Sequence, residues 1–138
     1  MAPQMIFMNL PVRDLDASKA FFEKLGYTIN PQFTDETAAC VVISETIFVM
    51  LLTEEKFRSF TAPGKGVSDA TENSEVLITL SAESREAADE LADAALVAGA
   101  TPAKEPMDMG FMYSRSFSDL DGHHWEVFWM DPKAVAQG

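Results

Sequence analysis

Hydrophobic and polar residues follow the same order twice along this chain, and each series predicts one strand, one helix and three further strands. In the first series, an apolar strand over residues 5–12 leads to Asp14, a good helix N-cap, and the helix stops at Gly26. In the second series, a strand over residues 76–80 leads to Ser84 as the N-cap. The spacing therefore predicts a duplicated βαβββ unit.

Three strand-like stretches follow each predicted helix. They cover residues 27–33, 38–43 and 47–53 in the first series, and residues 101–106, 111–118 and 125–130 in the second. We therefore expect an α+β fold with module 1 over 5–61, a linker over 62–73 and module 2 over 74–132, forming one domain over 1–138. Because a unit of about 60 residues buries a marginal core by itself, the two curved mixed sheets should share a cup.

One face of each predicted helix is apolar. The four-residue spacing places Ala17, Phe21 and Leu25 on the inward face of the first helix. The second helix is expected to carry an inward stripe of Ala87, Leu91, Ala94 and Ala98, with Glu86, Asp89, Glu90 and Asp93 as a solvated surface. The small alanine side chains should let this helix lie close to its sheet.

Composition and charge disfavour several classes of function. The net charge of -12 and the pI of about 4.4 disfavour nucleic-acid binding, which needs clustered Lys and Arg. The single cysteine, Cys40, excludes an intrachain disulfide and is expected to be a buried core thiol. The pattern contains neither a secretion signal nor an apolar stretch of about 20 residues, so we expect a cytoplasmic protein without a membrane span.

Three segments resemble the motifs of a known family. They are Val-Arg-Asp-Leu-Asp at 12–16, Phe-Glu-Lys-Leu-Gly-Tyr at 22–27, and Asp-Leu-Asp-Gly-His-His-Trp-Glu-Val at 119–127. The chain resembles the vicinal oxygen chelate superfamily, which includes glyoxalase I, extradiol dioxygenases, and the bleomycin and fosfomycin resistance proteins. The resemblance implies paired βαβββ modules, with each sheet forming half of a cup, usually in a homodimer.

The resemblance also implies metal ligands on the first and last strand of each module. Matching the motifs places the four expected ligand positions at Phe7, Phe48, Leu77 and Glu126. Only Glu126 can bind a metal, because phenyl and aliphatic side chains offer no donor atom to offset the dehydration of a divalent ion. We therefore expect the usual metal site to be absent, and we predict no cofactor.

Glu126 is the residue that this pattern singles out for chemistry. Strand alternation places it on one face with Phe128 and Met130, in an apolar cup. Desolvation there would suit a general base, or a carboxylate that holds a cationic ligand. The alternative is that Glu126 pairs with an internal partner such as Arg115 or Arg13, or faces solvent.

The polar residues around the last turn have a structural interpretation. His123 and His124 are adjacent on a strand, so they point to opposite faces and cannot easily chelate one ion. They are expected to orient the hairpin, and Asp119 and Asp121 are expected to form its turn. Trp125 and Trp129 should lie on the face opposite Glu126, under a helix or at a dimer contact.

A methionine-rich segment precedes the last two strands. Met107, Met109 and Met112 alternate with aromatic residues, which suits an adaptable apolar ligand as well as it suits ordinary core filling.

These patterns favour a small-molecule-binding protein of the glyoxalase/bleomycin-resistance type, with an apolar or cationic ligand and no family metal site. The expected ligand contacts are Phe7, Phe48, Leu77, Met112, Glu126 and Phe128, with Glu126 as the candidate catalytic residue. The alternative is a metal-dependent lyase or dioxygenase of the glyoxalase or extradiol type. It would need a divalent metal held by Glu126 and by ligands off the family pattern, such as His123 or His124. A third alternative is a family fold with no remaining activity.

Overall fold

Each half of the chain forms one mixed β-sheet with helices, in a computed structural model that describes residues 3–136. The first unit extends to Ser68 and the second begins at Asp69. The first contains β1 (Ile6–Val12), α1 (Leu15–Lys24), β2 (Thr28–Asn30), a 3-10 helix (Pro31–Phe33), β3 (Ala38–Val42), β4 (Ile47–Thr53) and α2 (Glu54–Phe60). The second contains β5 (Leu77–Ser81), α3 (Arg85–Val97), β6 (Thr101–Pro102), β7 (Met107–Asp108), β8 (Met112–Ser118), β9 (His124–Met130) and α4 (Pro132–Ala136).

The two sheets have the same strand order. The first is β1-β4-β3-β2, and the second is β5-β9-β8-β6, with β7 pairing on β8. The parallel pairs are β1 with β4 and β5 with β9, which are the first and last strands of each unit along the chain. The other neighbouring strands are antiparallel. The predicted α+β fold with a duplicated βαβββ unit is therefore confirmed. Within residues 3–136, no helix is long and apolar enough to cross a membrane.

The first helix packs large side chains against its sheet. The Asp14 carboxylate accepts a hydrogen bond from the Ala17 backbone N–H at 3.0 Å and begins the helix, as predicted. The buried face is centred on Leu15, Phe21 and Phe22. Ala17, predicted to lie on the inward face, is only half-buried at its border.

The lone cysteine lies in the core of the first unit. Cys40 is fully buried on β3, and burial raises the pKa of its thiol above the ordinary value. Its neighbours in the first sheet include the buried residues Val41, Val49 and Leu51. The prediction of a core thiol is confirmed.

The second helix buries alanines, but not those of the predicted stripe. The Ser84 hydroxyl accepts a hydrogen bond from Ala87 N–H at 3.0 Å and caps the helix, as predicted. The buried residues are Ala88, Ala92 and Ala95. The predicted stripe (Ala87, Leu91, Ala94, Ala98) is only half-buried, so the helix is rotated by about one residue from the expected phase.

An ion-pair network joins α3 to the second sheet in this orientation. The Arg115 guanidinium donates to Asp89 at 2.7 Å and to Asp93 at 2.9 Å, and the Tyr113 hydroxyl donates to Asp89 at 2.6 Å. These hydrogen bonds, from Tyr113 first and from Arg115, hold the pKa of Asp89 below its ordinary value. Asp89 and Asp93 remain 43% and 64% exposed, as expected for a solvated surface, but both also bind Arg115 of the sheet.

Candidate functional site

A buried carboxylate organises the turn between β8 and β9. Asp119 accepts backbone hydrogen bonds from Asp121 at 3.0 Å and His123 at 2.9 Å, and one from the indole N–H of Trp125 at 3.0 Å. Its side chain is buried, and that burial raises the pKa of Asp119, while the nearby charge of His123 and these hydrogen bonds oppose the rise. The turn role predicted for Asp119 is therefore confirmed, and the turn fixes where β9 begins.

The glycine of this turn is required by space as well as by conformation. Gly122 has a φ of 88°. A Cβ at this position would lie 2.8 Å from the backbone nitrogen of Thr71 and 2.9 Å from the backbone of Ala70. The chain just after the start of the second unit therefore packs directly against the β8–β9 turn.

Beyond the turn, alternation along β9 divides its side chains between two faces. Trp125 and Val127 are buried, and Val127 packs with Ala88 and Ala92 of α3. His124, Glu126 and Phe128 point to the opposite face. The ring of Trp125 stacks on Phe117 with centroids 6.5 Å apart, and Trp129 lies beneath the Arg85 guanidinium at 5.2 Å. Both tryptophans therefore lie opposite Glu126, as predicted.

We call the face that carries Glu126 the open face of the second sheet. Strand register adds the side chains of its neighbours. They are Leu77, Thr79 and Ser81 from β5, and Met112, Ser114, Ser116 and Ser118 from β8. Four of the predicted ligand contacts (Leu77, Met112, Glu126 and Phe128) thus lie on one face of one sheet.

Two further polar residues contact or approach Glu126. The hydroxyl of Thr79 donates to Oε2 of Glu126 at 3.3 Å. The Nε2 atom of His124 lies 3.4 Å from Oε1 of Glu126. The Glu126 side chain is 27% exposed and that of His124 is 14% exposed, so this polar group is shielded but reachable at the carboxylate.

The sequence pattern named His124 only as a hairpin residue or an alternative metal ligand, and it did not name Thr79. The residue directly opposite Glu126 on β5 is Thr79, whereas Leu77 lies opposite His124. Side chains two residues apart on a strand share a face. Alternation from Leu77 therefore predicts Thr79 on this face, and alternation from Glu126 predicts His124. Arg115, the suggested internal partner of Glu126, instead binds the acids of α3.

The methionine-rich segment divides between exposed and half-buried positions. Met107 and Met109 are exposed, and Met112 is half-buried on the open face. The Arg85 guanidinium holds this segment by a bidentate pair with Asp108, at 2.8 and 2.9 Å. That pairing lowers the pKa of Asp108 to about 2.

The remaining predicted contacts lie on the first sheet. Phe7 and Phe48 are direct partners in the β1–β4 register, and their rings stack with centroids 4.7 Å apart and planes 12° apart. Phe7 is 45% exposed, so an aromatic edge or face of the pair is accessible.

Comparisons with known proteins agree with this fold. The family model described as bleomycin resistance protein-like N-terminal matches residues 4–44. A solved hypothetical protein from S. aureus is 32% identical, with 94% of this chain and 95% of that chain covered and a TM-score of 0.75. The chain therefore matches a bleomycin resistance protein-like family model over residues 4–44, and as a whole it has the fold of the glyoxalase/bleomycin resistance/dioxygenase superfamily.

Two further solved structures share this fold at low identity. A glyoxalase/bleomycin resistance protein/dioxygenase family enzyme from Burkholderia phytofirmans is 17% identical, covering 93% of this chain and 99% of its own, with a TM-score of 0.74. A fosfomycin resistance protein from Listeria monocytogenes is also 17% identical, covering 96% and 98%, with a TM-score of 0.66. No curated protein sequence matches the chain.

The residues at the superfamily's metal positions do not fit a divalent ion. On the first sheet these positions hold the stacked pair of Phe7 and Phe48, which has no donor atom. On the second sheet Glu126 stands opposite the hydroxyl of Thr79. Across the part of the chain that the structure describes, no group of three or more His, Cys, Asp and Glu side chains could hold a metal.

Proposed function

We propose that this protein binds an organic small molecule, cationic or apolar, at the open face of the second sheet, without the superfamily's usual metal. Glu126 is the anionic contact, and Leu77, Met112 and Phe128 are the apolar ones. A carboxylate that is partly shielded from water favours a cation, because the interaction is stronger where water is partly excluded. The net charge of -12 also attracts cations toward the protein.

The observation that carries this proposal is the position of the Glu126 carboxylate. It is 27% exposed, accepts a hydrogen bond from the hydroxyl of Thr79 at 3.3 Å, and shares its face with the half-buried ring of Phe128. The arginine on the neighbouring strand, Arg115, is on the other face and is engaged by Asp89 and Asp93. Arg115 therefore does not neutralise the carboxylate.

On the first sheet, we assign the stacked pair of Phe7 and Phe48 as an apolar ligand contact. Aromatic faces bind apolar rings and organic cations alike. The stacking distance of 4.7 Å and the exposure of Phe7 support this assignment.

Removing the charge of Glu126 tests the proposed function. With benzyltrimethylammonium as the probe, Glu126→Gln is expected to weaken binding by about 1–3 kcal/mol, since a charged partner is lost. Isothermal titration calorimetry measures the affinity. The control is Glu90→Gln on the exposed side of α3, which makes the same change in net charge and should leave the affinity within experimental error. Equal affinities in both variants and the wild type would contradict the proposal.

One observation favours the alternative function, a metal-dependent lyase or dioxygenase. His124 and Glu126 lie 3.4 Å apart on one face, and both are metal-ligand types. Metal content of the purified protein decides between the two. Stoichiometric Zn, Ni, Mn or Fe that is lost in Glu126→Ala would support the enzyme, whereas probe binding that survives chelation by EDTA would support the binding protein.

We further propose that the protein is a homodimer. Light scattering coupled to size exclusion would give a mass near twice 15.2 kDa, and a mass near 15.2 kDa at all concentrations would exclude the dimer.

A further inference from the structure

We propose that His124 is a positioning residue which, with Thr79, holds the Glu126 carboxylate by one oxygen each, so that the site selects planar amidinium or guanidinium cations. This inference rests on the proposed function, because it assumes that Glu126 contacts the ligand. It adds the class of cation that the carboxylate takes.

The first observation is an unsatisfied buried atom. Nε2 of His124 is shielded from solvent and makes no hydrogen bond to any of residues 3–136. Leaving such an atom unpaired costs free energy, so native structures nearly always supply a partner. Oε1 of Glu126, at 3.4 Å, lies within ion-pair range of Nε2, although the geometry falls short of a hydrogen bond.

The tautomer of His124 follows from this neighbourhood. When the ring carries its proton on Nε2, that N–H can donate to Oε1 with a small rotation of either side chain. Hydrogen bonds in unliganded sites are often long and tighten when the ligand binds. On the same face, the residues opposite His124 are Leu77 and Ser118, neither of which carries a charge. Glu126 is therefore the anionic group toward which His124 can turn.

The expected selectivity depends on how many acceptor positions of the Glu126 carboxylate remain free for the ligand. An ionised carboxylate has about four lone-pair positions, two on each oxygen. Thr79 uses one on Oε2 at 3.3 Å, and His124 is placed to use one on Oε1. One position then remains on each oxygen, and a planar fork of two parallel N–H groups fits the pair when Thr79 and His124 occupy the outer positions. A quaternary ammonium group has no N–H and gains only the charge.

A matched pair of probes tests the inference. Benzamidine carries the amidinium fork, and benzyltrimethylammonium carries the same charge without a donor. We expect the wild-type protein to bind benzamidine about 10-fold more tightly, as expected for hydrogen bonds to a charged group. His124→Phe should remove most of this preference while changing benzyltrimethylammonium binding less than about 2-fold. His124→Gln, which restores an N–H donor, should recover part of it.

A spectroscopic measurement keeps the inference testable if His124→Phe fails to fold. Long-range 1H–15N correlation spectra of the wild-type protein report which ring nitrogen of His124 is protonated. The expected result is a proton on Nε2, with a shift change on adding benzamidine. A proton on Nδ1 alone, equal affinity for both probes, or an unchanged preference in His124→Phe would overturn the inference. If Glu126→Gln changes the affinity for neither probe, the proposed function itself has failed.

Discussion

The two sheets share one strand order but carry different chemistry on their parallel pair of strands. Where the parallel first and last strands pair, the first sheet has Phe7 against Phe48, and the second has Thr79 against Glu126. Backbone hydrogen bonds fix strand order without reading side chains. The two units can therefore share a topology although their side chains differ. The first sheet has no metal ligand at the expected positions, and the second has a single carboxylate.

The helix sides of the two sheets differ as well. α1 packs on the first sheet through the aromatic rings of Phe21 and Phe22, which meet edge to face at 5.0 Å. α3 packs on the second sheet through three alanines, with Arg115 joining the helix to the sheet by ion pairs. The first unit thus depends on apolar volume, and the second on close approach and charge. The two should fail in different ways when they are perturbed.

Removing a ring from the first unit should produce the largest loss. Phe22 is 1% exposed, so Phe22→Ala is expected to lower the free energy of unfolding by about 3–5 kcal/mol through lost burial and a cavity. Urea denaturation followed by circular dichroism measures the change. A loss below about 1 kcal/mol would mean that the ring is not part of a packed core.

Adding volume to the core of the second unit is the matched comparison. Ala92 is fully buried on the side of α3 that faces the sheet. Ala92→Leu adds volume where the helix lies close to the sheet. Overpacking of this kind costs about 1–3 kcal/mol. If Ala92→Leu were neutral or stabilising, the space under α3 would be larger than described, and the contrast between the two helices would disappear.

Replacing one turn glycine in each unit by alanine compares how tightly the two turns are packed. Gly122→Ala is expected to cost about 3 kcal/mol, because the positive φ is unfavourable for alanine and the new Cβ meets backbone at 2.8 Å. Gly26→Ala is the control in the first unit. Its φ is 102°, but nothing lies within 4 Å of the added Cβ, so only the conformational cost of about 1 kcal/mol remains. Equal losses at the two positions would show that the close packing of Ala70 and Thr71 on the turn is unimportant.

Local features of the sequence predicted most of the fold. Asp14 and Ser84 cap their helices as expected, and alternation placed the two tryptophans of β9 opposite Glu126. The phase of α3 was predicted wrongly, and one of the contacts that this phase allows is with Arg115, which lies on a strand 22 to 26 residues from the acids that it binds. Short-range periodicity contains no information about such a partner.

The candidate site shows the same division between local and distant information. Alternation gives the face of Glu126, but the residue opposite it depends on the register of β5 against β9, which are 47 residues apart at Thr79 and Glu126. Matching motifs between the two halves led to Leu77, which is on the same face but opposite His124. The register of a parallel pair is set by tertiary packing, so the sequence identified the face but not the neighbour.

The smallest expected effect concerns pH and tests whether charge holds α3. Hydrogen bonds from Tyr113 and Arg115 lower the pKa of Asp89 below its ordinary value of 3.8, so its contribution to stability is present above that value and is lost as pH falls through the folded pKa. Asp89→Asn should cost about 1 kcal/mol at pH 7, a modest loss because the side chain is 43% exposed and screened by water.

The same variant should lose its difference from the wild type in acid, because the wild-type carboxylate is then protonated and neutral, like the asparagine amide. Denaturation measured from pH 7 down to about pH 2 gives the two curves, which should converge at the acid end. Glu23→Gln on the exposed side of α1 is the control and should follow the wild type within about 0.5 kcal/mol at every pH. If the Asp89→Asn curve instead ran parallel to the wild type, its loss would come from packing. The second unit would then resemble the first in depending on apolar contacts alone.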